Sequence, residues 1–379
     1  MKKSVFLILC LEGAILSFNV AASAALVPSI ARDFNVAQFY AGKIIWLYML
    51  PYGVAALFYG PLARVFCAKK IELICLFLFS LANLAAAFSQ NIHQLFVSRF
   101  FMGVFGASVI PLILILVSRH TAPEKRGSQI GLFFAATFVA SLAGLFLSGV
   151  MPWRMIYLLP AIAGLILWIF MLIFLPQFKE DPSEIKVNYL AVLADQRVIA
   201  IFTYIFVISL LYHGIQQWLG VYFASKYQLN QFLVSMLITL TSLSGIFGEI
   251  IGGQMADKLG RAKTVDIGII IMALATLALI IKMPIALLII IMIAWGLGWT
   301  FNHAGLSTML TDLPKEFLNE AASLNSGIRF ISGGLGTVLA GILMQRSFVL
   351  GFSVSGICLL LLLFLVKQKQ FPFQSGNCF

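Results

Sequence analysis

Long apolar segments alternate with short polar breaks along almost the whole chain. A transmembrane α-helix needs about 20 consecutive, mainly apolar residues. Twelve segments of that kind are predicted to span a membrane: 4–27, 40–63, 71–89, 93–118, 128–150, 154–175, 198–223, 232–256, 264–282, 284–311, 318–345 and 347–366. We therefore expect an all-α membrane protein of twelve transmembrane helices.

The longest polar stretch, 177–197, divides the predicted spans into six and six. This predicts an N-terminal six-helix bundle over 1–176, a cytoplasmic linker over 177–197, and a C-terminal six-helix bundle with a short tail over 198–379. An internal repeat supports two pseudo-symmetric bundles. Phe138, Gly144 and Gly149 recur 192 positions later as Phe330, Gly336 and Gly341, and 60–63 recurs 193 positions later as 253–256. Parallel repeats of this type are common in transporters.

Composition supports the membrane class. Of the 379 residues 61% are hydrophobic and 10% are charged, far from the average of a soluble domain. The formal charge of +11 follows the positive-inside rule, because 17 of the 25 basic residues fall on one side and six on the other. This predicts cytoplasmic N- and C-termini and no nucleic-acid partner. We read 4–27 as a span rather than a cleaved leader, because Glu12 interrupts its apolar run.

The chain lacks the motifs of several enzyme classes. Its five cysteines contain no Cys-x-x-Cys pair, and neither a phosphate-binding loop nor a His-Glu-x-x-His zinc motif occurs. We expect no catalytic residues, no cofactor and no metal. A secondary carrier remains, with a small-molecule substrate, protons and the lipid bilayer as its partners.

Segment 253–263, GQMADKLGRAK, resembles motif A of the major facilitator superfamily. Arg99 and Gly103 resemble that family's motif B. The resemblance covers nearly the whole chain and implies the two-bundle fold of these transporters. It assigns gating roles to the following residues: Gly60, Arg64, Arg126, Gly253, Asp257, Gly260 and Arg261.

Two departures from the family pattern stand out. The first-half copy of motif A, GPLARVFCAKK at 60–70, has Arg64 where the family has Asp. Arg64 forms either a charge-swapped latch with Glu316 or Glu320, or an ordinary solvated loop charge. The antiporter motif C of the fifth span is degenerate, with Leu145 at the proline position.

Ionisable residues within spans are expensive and usually functional. Glu12, Arg99 and Glu249 are the predicted proton-coupling residues. Glu12 and Arg99 are expected to approach each other across a cavity, or else Glu12 lies near the interface and pairs with a lysine. Glu249 serves either coupling or tight helix packing. Arg329 holds an anionic group of the cargo or counters Glu249.

Other polar and aromatic residues in spans are candidates for binding the cargo. Small-molecule sites combine apolar walls with a few polar groups. The predicted substrate-binding residues are Asn19, His213, Gln216, Gln217, Trp218, Asn302 and Arg329. For Trp218 the alternative is a place in the aromatic belt at the outer membrane interface.

We therefore expect a monomeric transporter of a bacterial inner membrane that exports a small organic molecule in exchange for protons. The alternative is a proton symporter or uniporter that imports a metabolite or organic anion.

Overall fold

A computed structural model of the protein describes residues 3–176, 189–311 and 318–368, and every regular element in these ranges is an α-helix. The helices are α1 (Lys3–Asp33), α2 (Gln38–Ala41), α3 (Lys43–Val65), α4 (Ala68–Ala87), α5 (Ile92–Gly106), α6 (Val109–His120), α7 (Pro123–Val150), α8 (Trp153–Phe174), α9 (Tyr189–Ala194), α10 (Gln196–Gln216), α11 (Leu219–Lys226), α12 (Gln231–Leu259), α13 (Arg261–Ala278), α14 (Ile285–Thr311), α15 (Leu318–Arg346) and α16 (Phe348–Gln368).

Ten segments of the described chain are long and apolar enough to cross a membrane. Three of them, Gln38–Ala63, Ile92–Val117 and Val198–Lys226, join two consecutive helices. The two other predicted spans are helical as well. They correspond to α13, whose first turns carry basic and acidic residues, and to α16, whose apolar segment Phe348–Leu363 is shorter. The predicted all-α class is confirmed.

The first span is longer than predicted. Helix α1 continues past 27 to Asp33 and includes Pro28. The additional turns are held by burial, since Ile30 and Ala31 belong to the core. Gly220 of α11 also packs on the carbonyl of Ala24, which brings the two backbones into contact.

The described residues fall into two compact units. Unit 1 contains those of Met1–Val187, Leu219–Met236 and Ala322–Gly334, and unit 2 contains those of Asn188–Trp218, Leu237–Ala321 and Leu335–Phe379. The predicted division at 177–197 stays a prediction, because 177–188 lie outside the described residues.

Within unit 1, α1 packs on α7 and α8, and α4 packs on α5 and α8. Within unit 2, α13 packs on α14 and α16, and α10 contacts α14 and α16. Many large apolar side chains remain exposed, among them Phe58, Phe88 and Phe247. Apolar patches of this extent need lipid rather than water as their solvent, so the chain is an integral membrane protein.

Candidate functional site

Two carboxyl groups are buried against each other in unit 1. Glu12 of α1 and Glu72 of α4 are both fully buried. Their side chains lie within hydrogen-bonding reach of each other. No hydrogen-bond donor among the described residues satisfies any of their four carboxyl oxygens. We call Glu12 and Glu72 the carboxyl pair.

Local packing explains why the two helices turn these side chains inward. Gly13 follows Glu12 and packs directly on the ring of Phe133 in α7, which holds this turn of α1 inside unit 1. On α4, Glu72 shares a buried face with Cys75 and Phe79, three and seven positions later.

The described polar neighbours of the carboxyl pair are neutral. Tyr59 and Cys75 interact electrostatically with it. Tyr59 donates its hydroxyl hydrogen to the carbonyl of Val104 at 2.9 Å, and the Cys75 thiol donates to the Tyr59 hydroxyl at 3.4 Å. These donors are therefore engaged with one another and with the backbone.

Arg99 makes its described contacts away from the carboxyl pair. Its Nε donates to the carbonyl of Ile44 at 2.8 Å, its Nη2 donates to Ser23 Oγ at 3.0 Å, and its guanidinium lies 4.4 Å from the ring centroid of Tyr48. Between residues 12 and 23, α1 rises by about 16 Å, which separates the two sites along the helix. The expected approach of Glu12 to Arg99 is thus replaced by the contact with Glu72.

Asn19 also takes part in an internal contact of unit 1. Its amide donates to the side-chain oxygen of Asn83, and both residues are fully buried. Arg329 of α15 donates from Nε to Asn325 Oδ1 at 2.8 Å, one turn earlier on the same helix.

Unit 2 contains a group of parallel aromatic rings. The ring of Tyr212 stacks on Trp299 with a centroid distance of 3.8 Å and an interplanar angle of 10°. Trp295 lies parallel to Tyr212 at 5.5 Å. His213 meets the Trp299 ring edge-on at 5.6 Å. We call Tyr212, His213, Trp295 and Trp299 the aromatic cluster.

Gln216 anchors the buried side of the aromatic cluster. Its Oε1 accepts a hydrogen bond from Trp295 Nε1 at 2.9 Å, and its Nε2 donates to Thr241 Oγ1 at 3.2 Å. Both ends of the amide are therefore used inside unit 2. Gln217, the next residue, lies half-buried between α10 and α11.

Two other predicted cargo residues are packed into helix contacts of unit 2. Trp218 donates from Nε1 to the carbonyl of Thr337 at 2.8 Å, and Gly341 packs on its indole. Asn302 is fully buried and donates to the carbonyl of Gly298 at 2.8 Å. Trp218 therefore lies inside unit 2, and its place relative to the membrane interface stays a prediction.

Glu249 pairs with His303 across α12 and α14. The Glu249 Oε1 and His303 Nδ1 atoms are 2.7 Å apart, and about a third of each side chain is exposed. His303 lies one turn beyond Trp299 on α14. The contact between Glu249 and His303 is therefore adjacent to the aromatic cluster.

The motif A segment of the second half forms the connection between α12 and α13. Gly260 joins the two helices with φ of +92°, a backbone conformation that favours glycine. Asp257 is exposed near the end of α12, and Arg261 begins α13. Close helix approach occurs at Gly252, which packs on Phe301 and Ala304, whereas Gly253 faces open space.

The first-half gating residues are only partly described. Gly60 is buried within α3. The side chains of Arg64, Arg126 and Glu320, and the whole of Glu316, lie outside the described residues. The latch between Arg64 and the acidic residues stays a prediction.

Glu72 was not selected in the sequence analysis, and of the aromatic cluster His213 alone was selected. Glu72 lies inside the predicted span 71–89, but it stands two residues after Lys70 at the edge of the polar break and was not selected as an intramembrane charge. Trp295 and Trp299 are one helical turn apart, a spacing that places them on one face of α14. That spacing is the signal that would have found them.

The sequence profile described as Major Facilitator Superfamily matches residues 9–337 and 234–376. The chain belongs to the major facilitator superfamily. The fold agrees with this membership. The crystal structure of the nucleoside transporter NupG aligns with a TM-score of 0.74 over 96% of this chain and 98% of that chain, at 15% identity.

Curated members of the superfamily are similar to this chain. The purine ribonucleoside efflux pump NepI of Salmonella enteritidis is 24% identical over 91% of this chain and 88% of the pump. The 4-hydroxybenzoate transporter PcaK of Pseudomonas aeruginosa is 27% identical over 45% of this chain and 38% of that transporter. The chain spans 63% or less of the length of several curated relatives that it matches.

Proposed function

We propose that this superfamily member is a secondary transporter that exports a small organic molecule by alternating access in exchange for protons. The observation that carries proton exchange is the burial of Glu12. It is a carboxyl group inside a membrane-spanning helix, and its described surroundings contain no cation. Proton carriers of membrane transporters are typically carboxyl groups in such positions.

The chemistry of a buried carboxyl links proton binding to conformation. Removing an ionised carboxylate from water is far more costly than removing the neutral acid. The packed state described for unit 1 therefore favours protonated Glu12, whereas a state that opens Glu12 to water favours release. By linkage, a ligand that stabilises the open state promotes proton release. A cargo with this preference would be exchanged for a proton.

The aromatic cluster supports a planar cargo. Aromatic rings favour offset-stacked or edge-to-face contact with another ring. Trp299 and His213 are only half-buried, and the Glu249–His303 pair beside them adds a hydrogen-bonding group. Small-molecule sites combine these two features. We propose an aromatic or heteroaromatic molecule as the cargo, in keeping with the substrates named for NepI and PcaK.

Proteoliposomes that contain a pH indicator test the proposal. Purine nucleosides and aromatic acids are supplied across an imposed proton gradient. We expect cargo movement to drive protons in the opposite direction. Glu12→Gln should abolish gradient-driven transport and keep cargo exchange. Asp33→Asn is the matched control, because Asp33 is a partly exposed partner of Arg154, and it should retain coupling.

The alternative is import of an organic anion with or without protons. The observation that favours it is Arg99, a fully buried cation whose described contacts are a carbonyl, a hydroxyl, a thioether and two aromatic rings. None of these described partners is a carboxylate. Protons that move together with the cargo, or anion flux without protons, would support this alternative and contradict export by exchange.

We also propose a monomer in a bacterial inner membrane with both termini in the cytoplasm. The excess of basic residues in the segments assigned to the cytoplasm supports this orientation. Labelling of single cysteines placed in polar loops, from either side of right-side-out vesicles, would test it.

A further inference from the structure

We propose that Glu12 and Glu72 form a single proton-binding site in which one proton is shared between the two carboxyl groups. This inference deepens the proposed proton exchange and rests on it for its role in transport. It adds Glu72, which the sequence did not single out, as an equal member of the site.

A hydrogen bond between the carboxyl groups of Glu12 and Glu72 requires a proton. An ionised carboxylate only accepts hydrogen bonds, so two carboxylates cannot bond to each other. Both groups are fully buried, and no donor among the described residues satisfies their oxygens. One proton makes the contact possible, because it removes one of the two buried charges and provides the donor for a hydrogen bond between Glu12 and Glu72.

Among the described residues, no other group compensates the buried charge of the carboxyl pair. The titratable groups that interact with the pair are Tyr59 of α3 and Cys75 of α4, and their hydrogens are directed to Val104 and Tyr59. Arg99, a buried cation among the described residues of unit 1, contacts Ser23 and Ile44 instead. The shared proton is thus the local donor that joins the two carboxyl groups.

Two strongly interacting carboxyl groups release their protons in two separate steps, and each step is a property of the pair rather than of one residue. With one proton the site carries a single negative charge. A second proton binds the free carboxylate oxygen and makes both groups neutral, and its release restores the shared-proton form. The site therefore exchanges one proton per cycle while the first stays bound, so the transported proton is the second one.

Infrared titration of the full-length protein in lipid nanodiscs tests the inference without cargo or gradient. The carbonyl stretch of protonated carboxyl groups is recorded against pH, and each variant is subtracted from the unaltered protein. We expect the pair to titrate in two steps more than about one pH unit apart. Glu72→Gln and Glu12→Gln should each leave one step. Asp33→Asn should leave both.

A single step for the pair in the unaltered protein would overturn the proposal, and this measurement requires no variant. Two unchanged steps in Glu72→Gln would also overturn it. The titration and the proteoliposome assay fail independently. A two-step titration without cargo-driven proton movement would support the shared proton and refute proton exchange. Cargo-driven proton movement with a one-step titration would support proton exchange and refute the shared proton.

Discussion

Gly144 of α7 packs directly on the backbone carbonyl of Phe18 in α1. A Cβ at residue 144 would overlap that oxygen, so only glycine allows the two backbones to meet. The same relationship recurs in unit 2, where Gly336 of α15 packs on the carbonyl of Leu210 in α10. Both residues of the second contact lie 192 positions after those of the first. The sequence repeat is therefore also a repeat of a helix contact.

A second pair of contacts repeats at the other spacing. Gly103 of α5 packs on the carbonyl of Tyr48 in α3, and Gly296 of α14 packs on the carbonyl of Thr241 in α12. Each member is shifted by 193 positions, the spacing found for the motif A copies. Small residues allow close packing of membrane helices. Both halves of the repeat have a glycine at the positions where the backbones touch.

We expect Gly144→Ala to lower the free energy of unfolding by about 1–3 kcal/mol, because the added methyl group forces α7 away from α1. Gly131→Ala on the same helix is the control. A Cβ at residue 131 meets open space, and alanine improves helix propensity by up to about 1 kcal/mol. Unfolding temperatures in detergent measure both. Equal effects of the two substitutions would contradict the contact.

Gly260→Ala should destabilise the protein by about 1–2 kcal/mol, since φ at residue 260 is positive and a Cβ is strained in that region. Gly253→Ala lies in the same motif within α12, faces open space, and should leave stability unchanged or slightly higher. The same thermal measurement distinguishes them. A neutral Gly260→Ala would mean that the connection relaxes to another conformation.

Gln216→Leu should lower stability by about 1–3 kcal/mol, because it leaves the buried indole N–H of Trp295 without an acceptor and removes the bond to Thr241, whose hydroxyl still donates to the Ile238 carbonyl. A double-mutant cycle with Trp295→Phe should show non-additive losses. Additive losses would refute the hydrogen bond as the source of the effect. A loss of stability without a change in cargo affinity would assign Gln216 a structural role.

Arg99→Lys should lower the free energy of unfolding by about 1.5–3 kcal/mol, because lysine cannot reproduce the directed bonds to Ile44 and Ser23. Arg32→Lys is the control, since Arg32 is exposed at the end of α1, and its effect should stay within about 0.5 kcal/mol. Chemical unfolding in mixed micelles would measure both. Full stability of Arg99→Lys would show that a point charge alone suffices.

The family, the helical class and the repeat could be predicted from the sequence because each depends on local composition. A run of apolar residues predicts a span wherever it lies, and the motif A residues are contiguous. Gly260 illustrates this, since it lies in the motif between the predicted spans 232–256 and 264–282, and the structure shows there the positive φ that favours glycine.

The partners of the polar residues could not be predicted in the same way. Glu12 was singled out as an intramembrane charge, but its proximity to Glu72 depends on how α1 and α4 pack and on which faces they present to each other. Arg99 was likewise found by its depth in a span, whereas its contacts with Ser23 of α1 and Ile44 of α3 depend on where α5 lies against those two helices.

The sequence by itself thus determined which segments enter the membrane and which residues are costly there, because hydrophobicity and charge act on each segment separately. Only the tertiary structure decided that Glu12 meets another acid rather than Arg99, and that Gln216 bonds inside the protein to Trp295. Contacts between distant helices depend on rotation and register, and a rotation of one residue moves a side chain by about 100° around the helix axis.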